Sequence, residues 1–337
     1  MPVIPKKILV YGAGPLGSLF AVRLAQAGHA VSLLSRGQRL ADLRQHGLVL
    51  EDGQSGERTV THLPLVEALS PEDAYDLVLV IMRKNRVPAI LPALAANRHT
   101  PNVLFMHNNA AGPGDLVAAL GQERVLLGFP MSAGMFVEGH VVRCLAGTEK
   151  EPVAIPIGEV DGSLTGRLRQ VGEWLSAMPG YQAELRTDMD AWLKCHVALL
   201  FPSIAPATFA AGLDRFRLAR TRDLSVLTVR AIREAFQVMT ALGIPITPPK
   251  FKLFQRLPEW LLVPLLRKMA QREAIEIALI GHARAARDES QHLAQEFIAL
   301  RDQSGVATPS IDRLLPYLDP AMPLMPDGSR TIPFRWW

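Results

Sequence analysis

Glycines at positions 12, 14 and 17, in the run Gly12-Ala13-Gly14-Pro15-Leu16-Gly17, have the spacing of a chain that turns tightly beneath a phosphate. The first glycine permits a turn that a side chain would block. The second lets backbone approach a pyrophosphate, and the third lets the next helix pack against the preceding strand. The surrounding residues supply the context this spacing needs. Residues 8–11 are a short apolar run of the kind a buried parallel strand requires. A helix follows, with Leu16, Leu19, Phe20, Leu24 and Ala27 on one stripe and Gly28 closing it. A second strand at 30–34 ends in Ser35-Arg36-Gly37. An NAD site usually carries an acid there for the ribose 2′-hydroxyl, whereas a hydroxyl and a guanidinium suit a 2′-phosphate. The reading is therefore NADP(H), contacted by Gly12, Gly14, Pro15, Leu16, Gly17, Ser35 and Arg36.

Three more stretches hold residues that could act around a bound nucleotide. Residues 76–82 read as a buried strand whose carboxyl end releases Arg83 and Lys84. Ligands gather at such strand ends, so a basic pair there can meet phosphate; solvated charges leading into a helix at 87–96 are the other reading. The strand at 102–106 releases His107-Asn108-Asn109. An amide can hold a carboxamide or a carbonyl without titrating, or it can cap the next element through an Asx-turn. Lys194 stands at the edge of an apolar helix, between Ala191-Trp192-Leu193 and Cys195-His196-Val197. A desolvated amine gives up its proton more readily, as a general acid must; a snorkelling surface lysine is the alternative. His196 competes as a donor but faces elsewhere on the helix, where a lone histidine is more often a core group.

Two kinds of scaffold must position these groups. Up to residue 185, strands alternate with helices at 38–46, 87–96 and 164–178. Further strands fall at 48–50, 59–64 and 124–129, with an antiparallel edge at 135–142 and 153–157. Beyond 188 the strand pattern gives way to helices at 189–200, 218–242 and 273–303. The expected fold is α/β, an N-terminal Rossmann doubly wound sheet over 1–185 followed by a C-terminal all-α domain over 186–337. The proline-dotted stretch 248–269 reads as a lid, a dimer contact or buried packing, and the tail 319–337, with two terminal Trp, as a loop over the body.

Composition narrows the partners. With 49% hydrophobic residues the chain can bury two cores, and its net charge of +4 suits an anionic cofactor. Basic clusters are short and lack interleaved aromatics, which argues against a nucleic-acid partner. Cys144 and Cys195 are far apart without metal-ligand spacing, so free buried thiols and no metal are expected. No signal pattern and no apolar run of membrane-spanning length is evident, so the expectation is a cytoplasmic monomer or homodimer without a membrane partner.

Taken together, these motifs resemble the ketopantoate reductase family over nearly the whole chain. The resemblance rests on the glycine run, Ser35-Arg36, His107-Asn108, Trp192-Leu193-Lys194, Glu276-Ile277 and Gly305-Val306-Ala307-Thr308-Pro309. It implies NADPH-dependent reduction of a small-molecule 2-keto acid, with Lys194 protonating the carbonyl oxygen. It further implies that Asn108 holds that carbonyl, Lys194 or the cofactor in register, that Glu276 binds a substrate hydroxyl or orients Lys194, and that Arg83 touches the cofactor. Taken alone, Glu276 reads as an exposed helix carboxylate. The chain also departs from the family. Ala198 and Pro202 stand where asparagines are usual, Asn109 stands where glycine is usual, and residues 263–272 lack the serine loop for the substrate carboxylate. Each lost charged hydrogen bond costs about 1.5–3 kcal/mol, so a bulkier or less polar carbonyl or imine is expected rather than ketopantoate. The alternatives are an inactive NADP(H)-binding sensor, or an enzyme oxidising an alcohol or amine.

Overall fold

A computed structural model describes residues 4–334 and divides the chain into two compact units. One contains the residues up to His107 together with Pro113–Met189; the other contains Asn108–Gly112 and everything from Asp190 onward. The units divide between Met189 and Asp190, and a five-residue loop from the strand-rich part, Asn108–Gly112, groups with the helices.

Among the described residues the first unit has twelve strands: β1 (Lys7–Tyr11), β2 (Ala30–Leu34), β3 (Leu48–Asp52), β4 (Arg58–Thr61), β5 (Leu65–Val66), β6 (Leu77–Val80), β7 (Val103–Met106), β8 (Val125–Gly128), β9 (Ala133–Val137), β10 (Val141–Leu145), β11 (Val153–Glu159) and β12 (Tyr181–Leu185). Eight form one sheet in the order β12-β11-β8-β7-β6-β1-β2-β5. Pairing is parallel throughout except where β11 meets β8. Strands β6, β7 and β8 are buried at every position, so they carry continuous apolar runs rather than an alternating pattern. The chain runs from β1 to β2 on one side and returns to β6 on the other. That reversal opens a crevice at the carboxyl end of β1, where the glycines lie.

Several expectations shift in detail. The stretch 135–142 is not part of the main sheet's edge. It forms the β9–β10 hairpin, which joins β3 and β4 in a separate four-stranded sheet, β4-β3-β10-β9. Its turn passes through Glu138 (φ 51°) and Gly139 (φ 79°), the left-handed geometry a tight hairpin needs. Across this sheet Glu51 receives Arg143 at 2.5 Å and Arg58 at 2.7 Å. Hydrogen bonds from Arg143 first and Arg58 second hold the Glu51 carboxyl below the usual range. Strand β12, unread in the sequence, completes the main sheet. The helix at 87–96 becomes a 3₁₀ stretch, Lys84–Ile90, followed by a short α-helix, Leu91–Ala96, because Pro88 and Pro92 each remove an amide donor.

In the second unit the helix Arg222–Ala241 is buried on almost every side and is the axis of the core. Residues 189–210 form one long run: the helix Met189–Leu199, a π-helical turn Leu200–Ile204 and the helix Ala205–Ala210. Contrary to the expectation from sequence, this run is long and apolar enough to cross a membrane by length and composition; 72% of its apolar window is buried. The helix read at 273–303 is interrupted by a π-helical turn, Glu276–Gly281, and by a break at Ala286. It restarts as Arg287–Ser304, with Asp288 and Glu289 in its first turn, where the helix dipole favours them. Of the proline-dotted segment, Leu262 and Val263 are buried while Trp260, Leu261 and Leu265 stay exposed, so buried packing accounts for only one face.

The described part of the tail lies along this unit, as the proline content suggested. Asp223 accepts from the backbone and hydroxyl of Thr331 and from the amide of Ile332, all within 3.0 Å. Burial pushes the Asp223 carboxyl up, but these donors outweigh it and hold it below the usual range. Arg230 makes a buried bidentate pair with Glu259 and also donates to the carbonyl of Pro333. The two terminal tryptophans lie outside the described residues.

Candidate functional site

A cavity of about 420 Å³ opens over the glycine turn, lined by Gly12, Gly14, Ser35, Arg36, Arg39 and Phe136 among others. Two of the turn's glycines tolerate no side chain. A Cβ on Gly12 would sit 2.4 Å from the Ile81 carbonyl oxygen, and one on Gly17 would sit 1.8 Å from the Gly12 carbonyl oxygen. Gly14 is the opposite case: nothing lies within 4 Å of its Cβ position. Two glycines are thus required by the protein's own packing, and the third leaves room for a visitor. Pro15 opens the helix Pro15–Gln26, where its missing amide donor costs nothing. At the tail of β2, Ser35 is only 4% exposed, and its Oγ has no hydrogen-bond partner among the described residues. A buried hydroxyl in that state is costly unless a ligand completes it. Arg36 is exposed at the rim. The residues present therefore fit a dinucleotide.

Of the other nucleotide candidates, Lys84 is buried and Arg83 half-buried, both just beyond the lining residue Met82. Sequence reasoning overlooked Arg39. It donates to the Ala13 carbonyl at 3.2 Å, to the His140 carbonyl at 3.0 Å and to Ser18 Oγ at 3.2 Å. One side chain thereby ties the glycine turn to the β9–β10 hairpin. Burial pushes the Arg39 pKa down from its ordinary value, well short of deprotonating a guanidinium at neutral pH.

The second group of candidates lies in the helical unit. Lys194 is 17% exposed, and its Nζ donates to Asp190 Oδ2 at 2.5 Å, one helical turn earlier. The amine is therefore mostly buried, as its apolar neighbours suggested, and it is held by an acid the sequence reading did not single out. The loop Asn108–Gly112 runs beside this pair: a Cβ on Gly112 would lie 3.6 Å from both Lys194 Nζ and Asp190 Oδ1. Gly112 has φ 86°. Asn109, the departure noted above, sets that turn by donating to the Gly112 carbonyl and accepting its amide. Glu296 Oε2 takes the amides of Ala110 at 2.7 Å and Ala111 at 3.1 Å. Ala110 itself packs with Val197, Phe201 and Leu293. Asn108 thus begins a loop fastened at three consecutive residues.

Glu276 is placed differently. Its partners are Arg284 at 3.5 Å and Arg215 at 3.9 Å, and it is Asp190 that holds Lys194. His196 stacks on Trp192 with ring centroids 5.1 Å apart. Burial, helped by nearby His282, pushes its pKa down to about 4, which suits a neutral core group. Cys144 and Cys195 are buried thiols outside any disulfide among the described residues, as expected.

Comparison with known proteins follows the same lines. The model of a family described as Ketopantoate reductase PanE/ApbA matches residues 8–159. The 2-dehydropantoate 2-reductase of Mesorhizobium japonicum is 27% identical over 271 residues, 71% of this chain and 79% of that protein. Among solved structures, D-mandelate dehydrogenase with NADH and anilino(oxo)acetate matches with a TM-score of 0.75 at 17% identity, covering 93% of this chain and 97% of that one. A PanE/ApbA family ketopantoate reductase from Ralstonia eutropha JMP134 matches at 0.72 and 21% identity, with 93% and 97% covered. At such identities the structural likeness speaks for the fold.

Proposed function

We propose that this chain is a divergent member of the ketopantoate reductase family, an oxidoreductase family, and acts as an NADPH-dependent reductase of a 2-keto acid or related carbonyl. The observation that carries the reading is the mostly buried Lys194 amine, held by Asp190 against the pinned loop that begins at Asn108. NADPH, when bound, supplies a hydride to the carbonyl carbon. As the C=O π bond opens, the Lys194 ammonium donates its proton to the oxygen, giving an alcohol and a neutral amine that solvent reprotonates. Asp190, one helical turn earlier, fixes where the Lys194 amine sits and so aims it beside the loop that begins at Asn108. Asn108 supplies an amide that can orient the carbonyl without exchanging a proton.

The choice of NADPH rests on Ser35 and Arg36 and on the absence of an acid at 34–37. The substrate reading rests on Ala198 and Pro202. Both are buried, and Pro202 lies within the π-helical turn. Apolar groups there favour a keto acid with a bulkier, less polar substituent than ketopantoate carries. The experiment is NADPH oxidation against aliphatic and aryl 2-keto acids, with NADH in parallel. Lys194→Ala should lower kcat by a factor of about 10²–10⁴, the usual worth of a positioned proton donor. Full turnover by that variant, or no turnover by the unaltered protein on any carbonyl, would overturn the proposal.

A further inference from the structure

Phe136 is a large aromatic side chain left 39% exposed where it lines the cavity above the glycine turn. It comes from β9, in the second sheet, and is not part of the strand–turn–helix that carries the glycines. Its position is nevertheless firmly set. The Arg39 guanidinium lies over the ring with Cζ 4.9 Å from the centroid, and Arg39 is itself tied to Ala13, Ser18 and His140. A second clasp reinforces the hairpin: His140 stacks on His46, with centroids 4.2 Å apart and planes at 20°. At the turn beside it, Gly139 presents no Cβ to the cavity that it helps to line.

An exposed aromatic ring with a cation behind it, fixed at the edge of a polar phosphate cradle, is a surface for a flat, weakly polar ring system. We propose that Phe136, backed by Arg39, is the stacking platform for the adenine base of the nucleotide, so that the β9–β10 hairpin forms the adenosine subsite. This rests on the dinucleotide reading given above and extends it to the second sheet. Stacking suits this role because every purine offers a π-face, and because the guanidinium restrains the ring before the ligand arrives. The same placement leaves Ser35 and Arg36, on the other lining element, to meet the ribose and its 2′-phosphate.

Titration calorimetry with ligand fragments separates the parts. For the unaltered protein, 2′,5′-ADP should bind more tightly than 5′-AMP. Phe136→Ala should weaken 2′,5′-ADP and 5′-AMP by about 10-fold each while leaving nicotinamide mononucleotide unchanged; Phe136→Trp should restore both. The ring is partly exposed, so the Ala variant should keep its Tm, and a thermal scan checks this. Unchanged affinity for 2′,5′-ADP in Phe136→Ala overturns the stacking platform while leaving the dinucleotide reading intact. Equal affinity of the unaltered protein for 2′,5′-ADP and 5′-AMP overturns the NADP preference, and the platform stands if the Ala variant still weakens both. If the unaltered protein binds no adenine nucleotide, both readings fall.

Discussion

The glycine-turn cleft and the surroundings of Lys194 are built on opposite principles. The cleft floor is set by near neighbours in sequence, with Gly17 packed against the Gly12 carbonyl and Pro15 starting the helix between them. The Lys194 neighbourhood is gathered from three distant stretches, a loop at 108–112, a helix turn at 190–194 and a carboxylate at 296. Local spacing can therefore define a binding surface, whereas a proton donor needs parts whose closeness only tertiary packing creates.

The sharpest way to break this contrast is at the glycines. Gly17→Ala forces a Cβ to within 1.8 Å of backbone and should abolish both nucleotide binding and a native Tm. Gly14→Ala meets nothing, so it should fold normally yet lose nucleotide affinity by an order of magnitude or more; fluorescence titration beside a thermal scan reads both. If the two variants behave alike, the open space at Gly14 is not where ligand backbone approaches.

A smaller effect is expected in the helical unit. Glu296→Gln replaces a charged acceptor of two amides with a neutral one, a change worth a fraction of a charged hydrogen bond. The expected result is a drop in kcat of about 10-fold with NADPH affinity unchanged, accompanied by faster hydrogen exchange at Ala110 and Ala111. Equal exchange rates would show that the loop holds without its carboxylate.

The smallest effect concerns stability against pH. His196 stays neutral in the folded protein down to about pH 4, whereas an unfolded histidine protonates near 6.5. Between those values the unfolded chain binds more protons, so stability falls as pH falls through that window, by at most ~1.4 kcal/mol per pH unit. His196→Phe keeps a ring against Trp192 and should flatten that slope in urea titrations at pH 4.5 and 6.5. An unchanged slope would assign the dependence to other groups.

The first strand, the glycine turn and the Ser35-Arg36 tail were legible because each is a local pattern with a local cause. Asp190 was equally legible, four residues before Lys194, and was passed over. Phe136 and Glu296 were not. Phe136 reaches the cavity because β10 pairs in parallel with β3, and a pairing partner about ninety residues away leaves no mark in a window of sequence. Glu296 reads as one acid among several on an amphipathic helix, and its two amides come from a loop 185 and 186 residues earlier. The breaks at 200–204 and 276–281 are likewise invisible to a periodicity that only counts apolar steps.

The attachment of residues 331–333 to Asp223 and Arg230 has a consequence for biosynthesis. Both side chains sit on the central helix of the second unit, and a buried carboxylate without donors is strongly unfavourable. During translation that helix emerges about a hundred residues before the stretch that neutralises it. The hydrogen bonds that satisfy Asp223, and the contact of Arg230 with Pro333, can therefore form only after residues 331–333 have left the ribosome, late in the chain's synthesis.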